Sequence, residues 1–530
     1  MGETGPVAIE TVGVVGLGTM GAGIVEVFTR AGLDVVAVEI DETLLAAGRA
    51  RLVTSFGRAV ERGRLDPADH DAHLARVSFS TNRDALAAAD LVIEAVPERL
   101  EVKAALFAEL DGICPASTVL ATNTSSLPVT RIAAASGRPD RVIGMHFFNP
   151  APVMRLVEVV HTVLTSPAVV DAVHDLAEAC GKTPVVVGDR AGFVANALLF
   201  GYLNDAARAA ETGQAAVADI DAAIVASTDL PMGPLTLLDL IGLDVSLDVL
   251  ETMFEETRDQ RYAAAPLLRR MVMAGQLGRK SGRGYYTYDV TPPQAAIPAP
   301  VFAVGKPVPV PRVVVVVGSA KSRVVAAIPD LAVVTIEDVG TADVVIVDGH
   351  SRSGSAELAA RVGRLAKPGA VIAIVTTDEA PVGTMAAGTG RVADVVGLHL
   401  PLAPTPGVVE VVASRHSSPD AVATVVEAIR AAGLTAVSCR DRPGHLVDRI
   451  VLPHLGDAVR MVDDGYATVA DVEAAMTLGC GYPVGPFAML DAVGADELRS
   501  RLLHLAAATH LASMAPAPLL DELAAFGPGE

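Results

Sequence analysis

The chain has 530 residues, of which 51% are hydrophobic and 19% are charged, and its formal net charge at pH 7 is −21. This length predicts two to four folded domains, and the composition excludes a largely disordered protein. The negative charge argues against nucleic acid or an anionic membrane as the main partner, because both favour a basic protein surface.

The cysteines and the N-terminus bear on the compartment. Four cysteines lie far apart, at Cys114, Cys180, Cys439 and Cys480. Their spacing predicts neither a zinc site nor a disulfide framework, and we expect no metal. The N-terminus lacks the basic and apolar regions of a signal peptide, and no later run is long enough to span a membrane. We therefore expect a soluble cytoplasmic protein.

The first motif is a glycine-rich turn between a predicted strand and a helix. Residues 12–15 are apolar, and Gly16, Gly18 and Gly21 follow before a helical pattern. Gly16 allows the turn, Gly18 lets a pyrophosphate approach the helix N-terminus, and Gly21 lets helix and strand pack closely. The next strand, predicted at 35–39, ends at Glu39, whose carboxylate would accept from a ribose and repel a 2′-phosphate. The sequence therefore predicts a dinucleotide site that favours NAD.

A helix predicted from about residue 42 to 62 has two distinct faces. Its apolar face consists of Leu45, Leu52, Phe56 and Ala59. Another face carries polar and cationic side chains, at Arg51, Ser55, Arg58 and Arg62. This pattern is compatible with a solvated cationic stripe and also with a seat for a phosphate-bearing substrate. In the following polar connector, residues 69–73 contain two histidines and two aspartates, and we expect a surface loop rather than a metal site.

Alternating strand and helix patterns continue to residue 188 and predict a mostly parallel, doubly wound α/β sheet of the Rossmann type. Ligands of such sheets bind beyond the carboxyl ends of the strands, where several polar motifs occur: Glu94 with Glu98 and Lys103, Asn123 to Ser126, and His146 with Asn149.

His146 ends one apolar run and Glu158 lies inside the next. If the two strands pair, an imidazole held by a buried carboxylate results, which is a recurring general base. The alternative is an ordinary core histidine beside Phe147 and Phe148. Beyond residue 189 the pattern is helical, with segments at 193–211, 217–227 and 235–254, and Asn196 near the start of the first segment could face a substrate cleft.

Seven motifs occur in order between residues 10 and 290: Gly16-Leu-Gly-Thr-Met-Gly21, Asn123-Thr-Ser-Ser126, Gly144-Met-His-Phe-Phe-Asn-Pro150, Leu156-Val-Glu158, Gly192-Phe-Val-Ala-Asn196, Pro231-Met-Gly-Pro-Leu235 and Gly278-Arg-Lys-Ser-Gly-Arg-Gly-Tyr-Tyr-Thr-Tyr288. With this combination the chain resembles the 3-hydroxyacyl-CoA dehydrogenases. The resemblance implies NAD-linked oxidation of a (3S)-3-hydroxyacyl-CoA to the 3-ketoacyl-CoA, or the reverse reduction.

The resemblance also implies residue roles. His146 would be the general base with Glu158 as its partner, and Ser125 and Asn196 would surround the reacting oxygen. The nicotinamide ribose would be placed by Glu98, Lys103 and Asn149, and we assign Asn123 to the same cofactor site. Ser55 and Arg62 would meet the phosphates of CoA, and Arg58 lies on the same helix face.

The second half of the chain repeats the first. Residues 441–448 align with 189–196, and the offset of 252 positions persists without a gap to residue 491. His399 and Glu410 correspond to His146 and Glu158. The chemistry is largely lost, because residues 319–323 lack the second and third glycines and the positions of Ser125, Asn149 and Asn196 hold Asp378, Leu402 and Asp448. Added carboxylates would repel a pyrophosphate or a CoA ester, so we expect a shortened α/β domain that binds no nucleotide.

We therefore predict an NAD-binding Rossmann domain at 1–188, a helical domain at 189–290, a proline-rich linker at 291–311, a degenerate Rossmann-like domain at 312–438 and a second helical domain at 439–530. Members of the family commonly dimerise through their helical domains, which implies that the second helical domain packs on the first as a built-in pseudo-dimer partner. An independently appended domain is the alternative, and a homodimer of the whole chain stays open.

The leading function is oxidation of a short- to medium-chain substrate, with 3-hydroxybutyryl-CoA or 3-hydroxyadipyl-CoA as examples. Two alternatives remain: the same chemistry on a substrate bound to an acyl carrier protein, and a non-catalytic scaffold that binds a nucleotide.

Overall fold

The computed structural model describes residues 9–288, 294–295, 312–317, 323–328, 331–349, 351–376, 381–405 and 407–526. Most of the predicted linker, together with Ser319 and Asp378, lies outside these described residues. By its internal packing the chain divides into two compact units. The first unit contains the residues up to 197 together with 464–485, and the second contains 198–463 together with the residues from 486 onward.

The part of the chain up to residue 288 begins with eight strands, at β1 (Thr11–Val15), β2 (Asp34–Val38), β3 (Val77–Ser80), β4 (Leu91–Glu94), β5 (Val119–Thr122), β6 (Val142–Phe147), β7 (Leu156–His161) and β8 (Thr183–Gly188). The helices among and after them are α1 (Thr19–Arg30), α2 (Glu42–Glu61), α3 (Pro67–Ala75), α4 (Leu100–Ile113), α5 (Val129–Ala135), α6 (Pro167–Ala179), α7 (Ala195–Glu211), α8 (Val217–Thr228), α9 (Pro234–Ile241), α10 (Leu243–Thr257) and α11 (Pro266–Met273).

At the end of this part, β9 (Tyr286–Thr287) pairs antiparallel with β10 (Gln294–Ala295) of the remainder. Seven strands follow, at β11 (Val313–Val317), β12 (Ala332–Val333), β13 (Val344–Asp348), β14 (Val371–Val375), β15 (Val395–His399), β16 (Val408–Ala413) and β17 (Thr435–Arg440). The helices are α12 (Arg323–Ala327), α13 (Arg352–Leu365), α14 (Val382–Ala386), α15 (Pro419–Ala431), α16 (Val447–Asp463), α17 (Val469–Ala474), α18 (Pro486–Val493), α19 (Ala495–Thr509) and α20 (Pro518–Phe526).

The first unit is built on an eight-stranded sheet with the order β3-β2-β1-β4-β5-β6-β7-β8. All neighbouring strands are parallel except β6 and β7, which are antiparallel. The central strands are buried along their length, as the apolar runs predict for a sheet that is covered on both faces. In the antiparallel pair His146 lies directly opposite Glu158.

The second unit contains a seven-stranded sheet with the order β12-β11-β13-β14-β15-β16-β17. Here too the reversal falls between two neighbouring strands, β15 and β16, and it places His399 opposite Glu410. The structure therefore confirms the predicted fold class: a Rossmann-type α/β region and helices, both duplicated, with a shorter second sheet.

Two local predictions are wrong. The helical segment predicted at 235–254 is two helices, because Gly242 between them has φ +104 and leaves the helical conformation. The run 69–73 is not a loop but part of α3. Asp66 caps this helix by accepting from the Ala68 N–H, and Pro67 occupies its first turn, where no N–H is needed.

Within the described part of the chain, no helix has the length and apolar composition that crossing a membrane requires.

Candidate active site

The pair His146 and Glu158 lies in the interior of the first unit. His146 is 5% exposed and Glu158 is fully buried, and Nδ1 of the imidazole lies 2.7 Å from Oε2 of the carboxylate. The other carboxylate oxygen accepts from the backbone N–H groups of Val194 (3.0 Å) and Ala195 (2.9 Å) at the start of α7. Because the carboxylate accepts at Nδ1, the neutral imidazole carries its proton there and presents the lone pair of Nε2.

Two aromatic rings hold the imidazole. The centroid of Phe148 lies 4.5 Å from that of His146, and the centroid of Phe193 lies 5.7 Å away. Phe193 has φ +47, a conformation that a bulky residue seldom adopts. Phe193 is not among the predicted site residues, although it lies inside the motif Gly192 to Asn196 and follows a glycine of positive φ.

The structure brings Ser125 and Asn196 together. The Asn196 side-chain amide donates to the Ser125 carbonyl oxygen at 3.3 Å. Both residues are half-buried. The backbone N–H of Ser125 donates to Glu98 at 2.9 Å, and the Thr124 hydroxyl donates to the same carboxylate oxygen at 2.5 Å. Glu98 therefore anchors the loop that carries Ser125.

Lys103 is 1% exposed and lies between two carboxylates. Its Nζ is 2.8 and 3.0 Å from the two oxygens of buried Glu94 and 3.2 Å from Glu98. Burial alone would raise the pKa of Glu98, but the Lys103 charge and the hydrogen bonds from Thr124 and Ser125 outweigh it and lower the pKa below its usual value. Lys103 thus holds Glu98 ionised, and its own donors are engaged inside the protein.

The glycine turn has the shape that a dinucleotide requires. A Cβ on Gly16 (φ +90) would lie 2.9 Å from the Ala95 carbonyl oxygen, and one on Gly21 would lie 1.8 Å from the Gly16 oxygen. A Cβ on Gly18, at the N-terminus of α1, would meet nothing within 4 Å, so this end of the helix is open to a pyrophosphate. Glu39 follows β2 beside the turn and accepts from the Leu17 N–H at 2.6 Å.

The remaining residues of the predicted cofactor and substrate sites differ in exposure. Asn123 is buried, and its side-chain oxygen accepts from the Phe147 N–H at 2.8 Å, which ties the loop after β5 to β6. Asn149 is exposed. On α2, Ser55 is half-buried, whereas Arg58 and Arg62 are exposed and make no ion pair with other described residues.

Among the described residues, one cluster has side chains near enough to share a metal ion, and it consists of His174, Asp175 and Glu178 at the surface of α6. The predicted loop histidine His73 instead stacks on Phe56, with ring centroids 5.9 Å apart, and its Nδ1 lies 3.0 Å from the Thr29 oxygen.

The second His–Glu pair has the same geometry in a different electrostatic setting. Nδ1 of His399 lies 2.8 Å from Glu410, and Nε2 lies 3.4 Å from the carboxylate of Asp448. All three side chains are buried. Burial opposes protonation of His399, but Asp448 and Glu410 together outweigh it and raise the pKa of His399 to about 10. An imidazole that is already protonated at neutral pH cannot accept a proton, so this site lacks a base.

Replacing Asp448 with asparagine, the residue at the equivalent position 196, is expected to weaken the pH dependence of stability. The pKa of His399 in the folded state lies above its unfolded value of about 6.5. Protonated His399 therefore contributes fully to stability below about pH 6.5, and this contribution is lost as pH rises towards 10. Asp448→Asn removes one carboxylate and lowers this pKa, which reduces the loss by about 1.4 kcal/mol per pKa unit. Urea unfolding near pH 6.5 and near pH 10 measures it.

The control for this experiment is Asp420→Asn, which neutralises an exposed carboxylate in the first turn of α15. This control should keep the pH dependence of the unmodified protein. An equal pH dependence for Asp448→Asn would show that His399 is not held protonated by Asp448.

Comparison with known proteins agrees with this fold and this arrangement of residues. The model of the 3-hydroxyacyl-CoA dehydrogenase NAD-binding domain matches residues 11–190 and 351–442, and that of the 3-hydroxyacyl-CoA dehydrogenase C-terminal domain matches 192–288 and 444–529. The chain belongs to the 3-hydroxyacyl-CoA dehydrogenase family and is an NAD-dependent oxidoreductase.

Some of its relatives match about half of this chain, and others match nearly all of it. A 3-hydroxybutyryl-CoA dehydrogenase of Mycobacterium tuberculosis is 50% identical over 283 residues, which are 53% of this chain and 99% of that protein. The 3-hydroxyadipyl-CoA dehydrogenase of Escherichia coli K12 is 36% identical over 483 residues, which are 91% of this chain and 90% of that one. A crystal structure of 3-hydroxybutyryl-CoA dehydrogenase from Escherichia coli K12 aligns with a TM-score of 0.76 and 32% identity, over 98% of this chain and 99% of that one.

Proposed function

We propose that this dehydrogenase uses His146 as the general base that takes the hydroxyl proton of a short- to medium-chain (3S)-3-hydroxyacyl-CoA. The observation that carries the proposal is the buried contact of 2.7 Å between His146 Nδ1 and Glu158. Glu158 is fixed by two backbone N–H groups, so it holds the ring in one tautomer and stabilises the imidazolium that forms.

NAD, when bound, supplies the acceptor for the hydride that leaves the carbinol carbon. The open N-terminus of α1 at Gly18 and the carboxylate of Glu39 are the groups that would hold it, and we assign Glu98, Asn123 and Asn149 to its nicotinamide half. Lys103, whose donors are engaged inside the protein, is assigned to the same half through Glu98, which it holds ionised. Ser125 and Asn196 lie in one cluster and would donate to the substrate oxygen as charge develops there. In the reverse direction His146 returns the proton to the same oxygen.

The direct test is to incubate the purified protein with acetoacetyl-CoA and NADH and to follow the loss of NADH. A panel of 3-ketoacyl-CoA esters of increasing length, including a dicarboxylic one, then defines the preferred acyl chain. Two similar relatives are named for 3-hydroxybutyryl-CoA and 3-hydroxyadipyl-CoA, which is why the panel spans both kinds. Failure to turn over any member of the panel would contradict the proposed function.

We also propose that the cationic face of α2, with Ser55, Arg58 and Arg62, receives the CoA phosphates. Arg58 and Arg62 make no ion pair within the described part of the chain, and in a protein of net charge −21 such arginines are candidates for an anionic ligand. Replacing both arginines, Arg58→Ala with Arg62→Ala, is expected to raise KM for acetoacetyl-CoA about tenfold, which corresponds to about 1.4 kcal/mol of binding. Since α2 follows β2, which β1, β4 and β5 separate from the strand of His146, kcat should stay within about twofold. Steady-state kinetics measures both KM and kcat.

A matched control removes two other arginines of the first unit, Arg76→Ala with Arg83→Ala. These belong to surface ion pairs with Asp34 and Glu109, and their loss should leave KM unchanged. If the Arg58 and Arg62 variant keeps the KM of the unmodified protein, the result would favour the alternative hypothesis that the substrate is bound to an acyl carrier protein.

The second half, we infer, serves as a built-in pseudo-dimer partner. In the second unit, Arg261 bridges helices of the two helical repeats, with Nη2 at 2.8 Å from Asp205 on α7 and Nη1 at 2.7 Å from Asp457 on α16. In the first unit, a segment of the second half lies against the catalytic strands, where a Cβ on Gly479 would be 2.4 Å from Leu156. The domain boundaries, a homodimer of the whole chain and a cytoplasmic location remain predictions.

A further inference from the structure

A cavity of about 690 Å³ lies in the second half, outside the residues proposed for catalysis. Its walls come from the loops that follow β16 and β17 and from the beginning of α14. Ser417 in its wall donates to the Val395 oxygen at the first residue of β15, whereas His399 is the last residue of that strand. The cavity therefore lies at the opposite end of β15 from the His399–Glu410 pair.

The cavity is lined by basic side chains. They are exposed, and they belong to Arg415, His416, Arg440 and Arg442. The only carboxylate of its described lining is Asp441, which accepts from the Gly383 N–H at 3.4 Å and so belongs to the wall. Arg415 and Arg442 make no ion pair with other described residues. The chain has 41 basic and 62 acidic residues, so a local cluster of basic side chains with one carboxylate departs from its average composition.

The loop that carries Arg415 and His416 is rigidly built. The Ser414 N–H donates to the Ser417 hydroxyl at 3.0 Å, and the Ser417 N–H donates back to the Ser414 hydroxyl at 3.2 Å. The Ser417 hydroxyl then donates to Val395 at 2.6 Å. The backbone that carries Arg415 and His416 is thus held in place before any ligand arrives, which lowers the entropic cost of ordering this loop on binding.

The first half contains the same loop with different side chains at the tip. Thr162 and Thr165 exchange the same two hydrogen bonds, at 2.9 and 3.1 Å, and the Thr165 hydroxyl donates to Val142 at 2.7 Å. The equivalents of Arg415 and His416 are Val163 and Leu164, which are 90% and 44% exposed. Since the backbone arrangement is shared, neither basic residue is needed to form the loop.

Arg440 is similarly distinctive. Its equivalent in the first half is Gly188. Nη1 of Arg440 lies 3.5 Å from the Thr212 oxygen, and the Gln214 amide donates to the Arg440 carbonyl oxygen at 2.9 Å. The second contact fixes the Arg440 backbone and the first holds its guanidinium beside Thr212, and Arg440 lines the cavity. The second half has therefore lost the residues that suit a dinucleotide but carries three basic side chains that the first half lacks at the equivalent positions.

We propose that this cavity is a binding site for a phosphate-bearing small molecule. Guanidinium groups pair with phosphate oxygens through two parallel hydrogen bonds, and three of them with one imidazole suit a group that carries two or more negative charges. A volume of about 690 Å³ lies within the range of about 300–1,000 Å³ that small-molecule sites occupy, which is sufficient for a nucleotide. The site is separate from the catalytic residues and does not depend on the proposed reaction.

Calorimetric titration of the full-length protein tests the proposal, with inorganic pyrophosphate and adenosine diphosphate as probes and with NAD at saturation so that the first half is occupied. The unmodified protein is expected to bind a probe. The double variant Arg415→Val with His416→Leu is expected to bind the same probe with at least tenfold lower affinity. This variant copies the tip of the first-half loop and should fold. Arg440→Gln is a second, independent variant with the same expected effect.

The control variant is Arg361→Val with Arg364→Leu, which removes two exposed arginines of α13 away from the cavity and should leave affinity unchanged. Tighter binding of adenosine diphosphate would support an organic phosphate, and equal binding would support a site for the phosphate group alone. No binding of either probe by the unmodified protein, or equal weakening by the control, would overturn the proposal. Turnover of acetoacetyl-CoA should be unchanged in every variant, which separates this test from that of the catalytic proposal.

Discussion

Replacing His146 with alanine is expected to lower kcat by about 10²–10⁴-fold, the usual contribution of a positioned general base. The reason is that the hydroxyl proton loses its acceptor, while Gly18, Glu39 and Glu98, which are proposed to hold the cofactor, belong to other loops and are left in place. The affinity for NAD should therefore stay within about twofold. Steady-state rates with acetoacetyl-CoA and NADH, together with a fluorescence titration of NADH, measure the two quantities.

The second half supplies a matched control for this experiment. His399→Ala makes the same substitution in a pair of the same geometry, and it should leave kcat of the folded protein within about twofold because His399 is held protonated. Full activity of His146→Ala would contradict the proposed base. A different result is that the unmodified protein binds NADH without turning over any substrate, with the same NADH affinity in His146→Ala. That result would support the alternative hypothesis of a non-catalytic scaffold that binds a nucleotide.

Replacing Arg261 with methionine is expected to destabilise the second unit by about 3–5 kcal/mol, the usual effect of breaking a buried ion pair by removing one partner. Arg261 is 2% exposed and lies between Asp205 and Asp457, and the substitution would leave both carboxylates buried without their cation. Urea unfolding followed by circular dichroism measures the change. Arg270→Met is the control, since Arg270 is largely exposed in its pair with Glu211 and should cost at most about 1 kcal/mol.

The loss of stability caused by Arg261→Met should also depend on pH. Burial raises the pKa of Asp457 to about 6 even with Arg261 present, so its contribution to stability is complete below about pH 4 and is lost as pH rises towards 6. Removing the arginine raises this pKa further. Arg261→Met is therefore expected to lose more stability near pH 8 than near pH 5. Equal losses of stability at pH 5 and pH 8, or a loss no larger than that of Arg270→Met, would contradict this prediction. Either result would show that the ion pairs of Arg261 do not stabilise the packing of the two helical repeats.

Local patterns in the sequence were sufficient for the main elements of the first sheet. The strand, the glycines and the acid at Glu39 are close together in sequence, and each has a specific steric or electrostatic function there. The boundary inside 235–254 was missed because a single glycine within an apolar helical pattern is compatible with a continuous helix. Only its φ of +104 shows the break.

The chemical sites needed more than local pattern. The sequence indicated contact between His146 and Glu158, but their direct opposition depends on the antiparallel register of β6 and β7. The N–H groups of Val194 and Ala195 that fix Glu158 come from the start of a helix far along the chain. No periodicity predicts such partners, because their proximity arises when the sheet and the following helix pack together.

The sequence by itself determined the duplication, the dinucleotide motif, the family resemblance and the presence of a second His–Glu pair, since all of these are recorded in residue types and spacing. Only the tertiary structure decided how the two pairs differ. Asp448 was expected to repel an anionic ligand, and its position 3.4 Å from His399 adds a different effect, because a second buried carboxylate holds the imidazole protonated. The same physical reason applies to the basic cavity: electrostatic interactions depend on distance and burial, which the fold sets and the order of residues does not show.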